Sequence, residues 1–317
     1  MPTLNHHQSN EYTKLLIEGD SGSGKTGALT SLVSAGYNLR ILDMDNGLET
    51  LKQFVLKECP DRIANVEFRT LRDKRKASPL GPIIDGQPKA FIAALNMIDR
   101  WRYKNEDGTE TDLGVPAEWG PSCILVIDSL TLLSDAAFDF REPLVPKSAQ
   151  GKYDARAVYK DAQDAIETMV SYLTSEGFRT NVIVNSHVRY VDNPDGTKKG
   201  YPTTVGSALS PKIPMYFNSV ALCQTSAGGK RTIQTIATAM IDLKNPKPFA
   251  MAPTYPIETG LADFFKVLRE QPKETTAEPA SPAPEFVPKG TNLKPGGITP
   301  VPIPIPASKP YTIKRRV

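Results

Sequence analysis

The chain of 317 residues carries 38 Lys and Arg against 35 Asp and Glu, and a net charge of only +3 excludes a strongly basic nucleic-acid-binding body. Its 39% hydrophobic content excludes a wholly disordered protein. The cysteines Cys59, Cys123 and Cys223 are far apart and form no CxxC pair, which disfavours disulfides and zinc and fits a cytoplasmic setting. The polar N-terminus and the lack of a run of ~18 apolar residues predict neither a secretory signal nor a membrane span.

Composition divides the chain into three parts. Residues 1–11 are polar and predict a flexible N-terminal arm, and residues 12–270 predict one α/β domain. Residues 271–317 hold 11 of the 28 prolines, which remove backbone donors and fix φ. We therefore expect a disordered, partly polyproline tail. Two interpretations stay open for it, a solvated segment without a partner and a docking peptide for another protein.

Between about residues 12 and 268, short apolar runs alternate with amphipathic helices, which is typical of a mainly parallel sheet flanked by helices. The first strand is followed by a glycine loop and by a helix to about Ala35, with Gly36 as its end. Residues 72–88 predict a surface excursion, and residues 189–242 predict a β-rich region. The other predicted strands and helices, in chain order, are Leu39–Leu42, Val66–Leu71, helix Phe91–Tyr103, Cys123–Ile127, helix Tyr153–Ser175 and Val182–Asn185.

The strongest motif follows the strand Lys14–Glu18 and fits GxxxxGK[ST] at every position. Glycines allow backbone N–H groups to wrap a β-phosphate at a helix N-terminus. Lys25 is expected to face solvent in the free protein and to reach the β- and γ-phosphate oxygens of ATP, while Thr26 binds Mg²⁺. A chance glycine turn is the alternative. The expected nucleotide-binding residues are Gly19, Asp20, Ser21, Gly22, Ser23, Gly24, Lys25, Thr26 and Gly27.

Asp128 ends the most apolar strand of the chain, Cys123–Ile127. A carboxylate at the carboxyl end of a parallel strand opens toward the crevice where ligands bind. We therefore expect Asp128 to be the magnesium partner of Thr26, through a water molecule. The alternative is that Asp128 caps the next helix, and both roles are compatible.

Two further strand ends carry polar side chains. Asp45 follows the strand Leu39–Leu42 and is the predicted base or water-orienting residue, with Asp43 as the second candidate. His187 follows the strand Val182–Asn185 and is a candidate contact for the γ-phosphate. The alternatives are two ordinary loop acids and a hydrogen-bonded surface histidine.

These strand-end residues occur in the order P-loop, acid, Asp128-Ser129 and His187. In this order the chain resembles the RecA-like ATPases, most closely the phage nucleotide-binding ATPases of recombination and single-strand annealing, over roughly residues 12–250. That resemblance implies a RecA-like ATPase domain, a DNA-binding loop after His187, a homo-oligomeric ring or filament, and the host cytoplasm as location. Relatives more often carry Glu at the Asp45 position.

The segment after His187 interleaves cations with tyrosines, a composition that suits single-stranded DNA. A β-hairpin without special function is the alternative. The resemblance also implies that Lys244, or Lys247, reaches the γ-phosphate of a neighbouring subunit, whereas solvated lysines are the alternative. The candidate DNA-binding residues are Arg189, Lys198, Lys199, Tyr201 and Lys212.

The leading function is therefore an ATP- and Mg²⁺-dependent, RecA-like ATPase that acts on single-stranded DNA. The first alternative is a P-loop kinase of a small molecule or nucleotide, with Arg72–Lys76 as a lid fragment. A second alternative is an ATP-gated adaptor whose proline-rich tail recruits another protein.

Overall fold

The apolar runs predicted as strands pair into one eight-stranded sheet at the centre of the described chain. In chain order the strands of the computed structural model are β1 Lys14–Glu18, β2 Asn38–Asp43, β3 Val66–Thr70, β4 Arg75–Lys76, β5 Ile83–Ile84, β6 Arg102–Lys104, β7 Glu110–Asp112, β8 Gly120–Asp128, β9 Thr180–Ser186, β10 Val188–Asp192, β11 Lys198–Pro202, β12 Ser219–Thr225, β13 Arg231–Gln234 and β14 Thr254–Pro256. The central sheet has the order β14-β13-β12-β1-β9-β8-β2-β3.

The structure describes residues 11–79, 81–146 and 154–270. Nearly all of the predicted N-terminal arm, and the whole predicted tail 271–317, therefore lie outside the described residues. Within them the helices are α1 Lys25–Ala28, α2 Thr30–Ser34, α3 Glu49–Glu58, α4 Ala90–Asp99, α5 Leu130–Arg141, α6 Ala155–Thr174, α7 Ile213–Tyr216 and α8 Gly260–Arg269. None of these helices is both long and apolar enough to cross a membrane.

Six neighbouring strands, from β12 to β3, run parallel, whereas β13 and β14 add to β12 in antiparallel fashion. Every residue of β1 and β9 is buried, as expected for strands covered on both faces. One face packs against α4, α5 and α6, and the other against α1, α2, α3 and α8. The predicted mainly parallel α/β sheet with flanking helices is therefore confirmed.

The helix after the glycine loop differs from the prediction in its continuity. Instead of one helix to about Ala35 there are two short segments, α1 and α2, separated at Leu29. Leu29 keeps helical dihedral angles, φ −59° and ψ −24°, so the chain direction continues. Gly36 follows with φ 93°, the left-handed conformation that commonly ends a helix.

The predicted helix Phe91–Tyr103 is wrong in its last turn. Helix α4 ends at Asp99, and Trp101 is fully buried in extended backbone that exchanges hydrogen bonds with Leu113 and Gly114. Tyr103 then belongs to the hairpin of β6 and β7. Apolar spacing alone did not reveal this, because pairing with residues about ten positions later overrides the local helical pattern.

Candidate nucleotide-binding site

The glycine loop joins the central strand β1 to helix α1, with β9 on one side of β1 and β12 on the other. Gly19 continues the parallel pairing, since its N–H donates to the Ser186 carbonyl over 3.2 Å. A Cβ atom on Gly19 would lie 2.5 Å from the Cys223 carbonyl oxygen. Gly24 has φ 99°, a conformation that strains any residue with a side chain. The loop therefore requires glycine at both positions.

Lys25 does not face solvent as expected. Its amino group donates to the carbonyls of Gly19, over 2.7 Å, and Asp20, over 2.9 Å, and the residue is 7% exposed. Burial lowers the pKa of this amine, although the nearby thiol and carboxylates, among them Asp128, act in the opposite direction. The cation therefore lies folded against its own loop, within the space that phosphate oxygens occupy in a P-loop.

Thr26 and Asp128 lie in direct contact, without the intervening water expected from the sequence. The Thr26 hydroxyl donates to Oδ2 of Asp128 over 2.7 Å, and Asp128 is 4% exposed. Burial raises the pKa of this carboxyl, against the lowering effect of the Thr26 hydrogen bond. Asp128 does not cap the next helix, because the N-cap residue of α5 is Ser129.

This hydroxyl–carboxylate pair fits a hydrated Mg²⁺ ion that also binds nucleotide phosphates. In the part of the chain that the structure describes, no group of three or more His, Cys, Asp or Glu could hold a metal ion alone. Thr26 and Asp128 therefore suit a Mg²⁺ ion that is also bound by nucleotide phosphates, because the described residues offer too few ligands to hold the ion alone.

The two acids after β2 have different surroundings. Asp43 is 2% exposed, and its carboxylate accepts hydrogen bonds from the backbone of Asp45 and Gly47 and from the Thr70 hydroxyl. Asp45 instead lines the cleft beside the loop, where its Oδ1 accepts from the backbone N–H and the hydroxyl of Ser129. Asp43 therefore holds the turn, and Asp45 is the acid available to a ligand.

His187 also lines this cleft, and its backbone N–H donates to the Thr131 hydroxyl over 3.1 Å. Burial, followed by the charge of Lys25, lowers the pKa of its ring, which favours the neutral imidazole. The cleft has a volume of about 220 Å³. Its lining is Ser21, Gly22, Gly24, Lys25, Thr26, Gly27, Asp45, Gly47, Thr50, Asp128, His187 and Arg231.

Arg231, on the antiparallel strand β13, was missed by sequence reasoning. A Cβ atom on Gly24 would lie 3.0 Å from the Arg231 Cδ, so the arginine stem crosses the glycine loop. Among the described residues, the exposed guanidinium has no ion-pair partner. No local motif marks this residue, because only the pairing of Thr225 with Arg231 brings it to the loop.

Lys244 and Lys247 lie outside the cleft. The Lys244 amino group donates to the carbonyls of Met215 and Phe217 over 3.1 and 3.2 Å, and burial lowers its pKa. Lys247 donates to the carbonyls of Val267 and Glu270. Both lysines are thus bound within this chain, and neither is the freely solvated cation of the alternative interpretation.

The candidate DNA-binding residues mostly lie on the hairpin of β10 and β11, which begins directly after His187. Three of the lysines have acidic neighbours: Lys198 lies 3.6 Å from Asp192, Lys199 2.6 Å from Asp242, and Lys212 3.6 Å from Glu167. Arg189 and Tyr201 face each other across the two strands. The hairpin therefore carries nearly balanced charge.

A glycine loop between a central parallel strand and a helix, with a partly buried hydroxyl–carboxylate pair beside it, defines a P-loop nucleoside triphosphatase core. A family model described as AAA domain matches residues 11–246, and the chain belongs to this family. The family implies nucleotide binding. No curated protein matches the sequence.

Solved structures similar to this chain have low identity. The crystal structure of the RadB recombinase shares 14% identity at a TM-score of 0.41, over 78% of this chain and 89% of that one. A prototypical ATPase from the type III secretion system of pathogenic bacteria shares 11% identity at a TM-score of 0.35. This match covers 68% of the present chain and 51% of the secretion ATPase chain.

Proposed function

We propose that this chain is a Mg²⁺-dependent ATPase of RecA-like type that acts on single-stranded DNA in phage-type recombination or replication. The observation that carries the proposal is the direct connection between the nucleotide cleft and the hairpin of β10 and β11. His187 lines the cleft, and its carbonyl accepts a hydrogen bond from the Thr203 N–H, just beyond β11, over 2.7 Å. His187 is therefore joined to both strands of the hairpin, to β10 through the chain and to the end of β11 through this hydrogen bond.

Within this proposal, Lys25 leaves its two carbonyls and neutralises the β- and γ-phosphate oxygens. Thr26 and Asp128 hold the magnesium ion of the nucleotide, which supplies charge neutralisation on the phosphates. Asp45, fixed by Ser129, orients the attacking water and accepts its proton. The neutral His187 ring contacts the γ-phosphate and loses that contact on hydrolysis.

The hairpin supplies the DNA contacts in this proposal. The ion pair of Lys198 with Asp192 on the hairpin, and that of Lys212 with Glu167 beyond it, join partly exposed groups and contribute little stability, so a nucleic-acid phosphate can replace either acid. Tyr201 and Tyr190 add aromatic surfaces for base stacking. Arg189 has no acidic partner among the described residues, so a DNA phosphate can bind it without displacing one.

The homo-oligomer and the protein partner of the tail remain part of the proposal. To serve a neighbouring subunit, Lys244 or Lys247 would first have to leave the carbonyls that its amino group now binds. The kinase alternative receives less support, because its lid fragment Arg72–Lys76 is partly engaged elsewhere. Arg75 lies 3.0 Å from Asp139, and Lys76 lies 2.8 Å from Asp85.

The test is the steady-state ATPase rate of the full chain with and without single-stranded DNA, at fixed salt. Stimulation by single-stranded DNA, and less by duplex DNA, is expected. Stimulation by a nucleoside with production of its phosphate ester would instead establish the kinase. No ATP turnover under any condition would exclude both enzymes and leave the nucleotide-gated adaptor.

A further inference from the structure

Asn185 is a buried amide whose carbonyl oxygen is left unpaired. It lies near the carboxyl end of β9 with 0% exposure. Its Nδ2 can reach only the Asp128 carboxylate on the neighbouring strand, without a hydrogen bond of ordinary geometry, and its Oδ1 has no partner within the described residues. An unpaired buried carbonyl oxygen costs free energy that an apolar side chain of the same size would not. We therefore look for its partner in a bound ligand.

The position of Asn185 identifies the chemistry of that partner. In the parallel register, Asn185 is paired with Asp128 of β8 on one side and with Ile17 of β1 on the other. Residues paired in this way project toward the same face of a sheet. Ile17 belongs to the apolar cluster that packs under α1, so Asn185 lies on the face of the sheet covered by the helix that carries Thr26.

Asn185 lies directly across the strand pair from Asp128, whose Oδ2 accepts the Thr26 hydroxyl. An amide beside a carboxylate can donate to it through Nδ2 and still keep its carbonyl oxygen free. Such an amide can serve a hydrated cation in two ways. It orients the carboxylate, and it accepts a hydrogen bond from a metal-bound water.

We propose that Asn185 is a positioning residue for the magnesium ion of a bound nucleotide, acting through Asp128 and through a water of the ion. Mg²⁺ keeps several of its waters in proteins, and those waters need oriented acceptors. The proposal rests on the nucleotide-binding part of the proposed function and not on its DNA-binding part.

The same strand supplies a matched control. Asn181 lies four residues earlier on the same face and is also 0% exposed. Its Oδ1 accepts from the Thr13 N–H, and its Nδ2 donates to the carbonyls of Pro121 and Cys123 over 2.8 and 2.9 Å. Asn181 is therefore a structural amide, and Asn185 is not.

The experiment compares Asn185→Leu and Asn181→Leu in the full chain. The first measurement is binding of a fluorescent ATP analogue during a Mg²⁺ titration, and the second is thermal unfolding without nucleotide. Asn185→Leu is expected to be as stable as wild type but to require about tenfold more Mg²⁺ for half-maximal binding, as is usual when an outer partner of a metal site is lost. Asn181→Leu is expected to be less stable with an unchanged Mg²⁺ requirement.

An unchanged Mg²⁺ requirement in folded Asn185→Leu would overturn the proposal. Asn185→Ala serves as a second variant, and failure of both to fold would make Asn185 structural and likewise overturn it. If wild type binds the analogue with no dependence on Mg²⁺, the nucleotide part of the proposed function fails as well. If wild type needs Mg²⁺ for analogue binding and Asn185→Leu needs the same amount, only the Asn185 proposal fails and the nucleotide part of the proposed function stands.

Discussion

At the residue scale, Asp45 and Asp43 are separated by one position but differ in role, because Asp43 holds the turn and Asp45 lines the cleft. If Asp45 orients the attacking water, Asp45→Asn keeps nucleotide binding and lowers the hydrolysis rate about 10²-fold, the usual contribution of a general base. Single-turnover ATP hydrolysis together with analogue binding measures both quantities. Asp43→Asn is the control, and it should lose about 1 kcal/mol of unfolding free energy because its oxygens hold Gly47 and Thr70. Full activity in Asp45→Asn would move the role to Asp43.

Arg231 is a second residue whose contribution is measurable. Its guanidinium lies at the glycine loop without an ion-pair partner in the described part of the chain. It is therefore well placed for a charge-assisted hydrogen bond to a phosphate, which typically contributes about 1.5–3 kcal/mol. We expect Arg231→Ala to bind ATP about tenfold or more weakly at constant Mg²⁺. Lys230→Ala is the matched control, since Lys230 is exposed and does not line the cleft. Equal affinity in the two variants would remove Arg231 from the site.

At the scale of elements, the feature to test is the connection between β9 and the hairpin. If His187 reports the γ-phosphate, His187→Ala still binds ATP but no longer binds single-stranded DNA more tightly with ATP than with ADP. A ligand shifts such an equilibrium only through differential contact with the two states. DNA affinity of wild type and variant under each nucleotide, at one salt concentration, is the measurement.

His187→Gln is the companion variant, because glutamine keeps a hydrogen-bonding group at the same position. It should retain part of the difference between ATP and ADP. A variant His187→Ala that keeps the whole wild-type difference would make His187 an ordinary hydrogen-bonded surface residue.

The elements also show why only part of the molecule could be predicted from sequence. Lys25 and Thr26 belong to one contiguous motif, and Asp128 ends an apolar strand, so local sequence was enough to predict that these residues lie together. It was not enough to predict that the Lys25 amino group binds the carbonyls of its own loop. Arg231 and Asn185 depend on the register between strands distant in sequence, which no local pattern encodes. The break at Leu29 and the end of α4 at Asp99 likewise depend on tertiary packing that outweighs helical propensity.

At the scale of the whole molecule, two ionisable groups at opposite ends of β1 make the free energy of unfolding depend on pH. Glu18 is 1% exposed, and burial, followed by the charge of Asp242, raises its pKa from 4.5 to about 8. The Lys14 amino group donates to the carbonyls of Phe178 and Thr180, and burial lowers its pKa from 10.5 to about 7. Folding therefore keeps a proton on Glu18 and releases one from Lys14.

The signs of the two effects differ. Between pH 4.5 and about 8 the folded state holds a proton on Glu18 that the unfolded state has lost, so stability falls as pH rises. Between about pH 7 and 10.5 the unfolded state holds the extra proton on Lys14, so stability rises. Each slope is at most about 1.4 kcal/mol per pH unit, and the two oppose each other between about pH 7 and 8.

We therefore expect Glu18→Gln to flatten the fall in unfolding free energy between pH 5 and 7 and to leave the rise above pH 8 unchanged. Urea unfolding at a series of pH values is the measurement. Lys14→Met is the complementary control and should flatten only the rise. A Glu18→Gln protein with the wild-type slope below pH 7 would show that Glu18 is ionised in the folded state.

The two hydrogen bonds of the Lys25 amino group have a consequence for how nucleotide enters. In the free protein the Lys25 amino group is already bound to the Gly19 and Asp20 carbonyls. When ATP binds, its phosphate oxygens must replace these two carbonyls as the hydrogen-bond acceptors of Lys25. The measured affinity is then the difference between two bonded states, and the association rate includes release of the lysine. It also follows that Lys25→Ala removes bonds from the free protein and lowers its melting temperature. A comparison of ligand-free wild type and Lys25→Ala by calorimetry measures how strongly the free loop holds its own lysine.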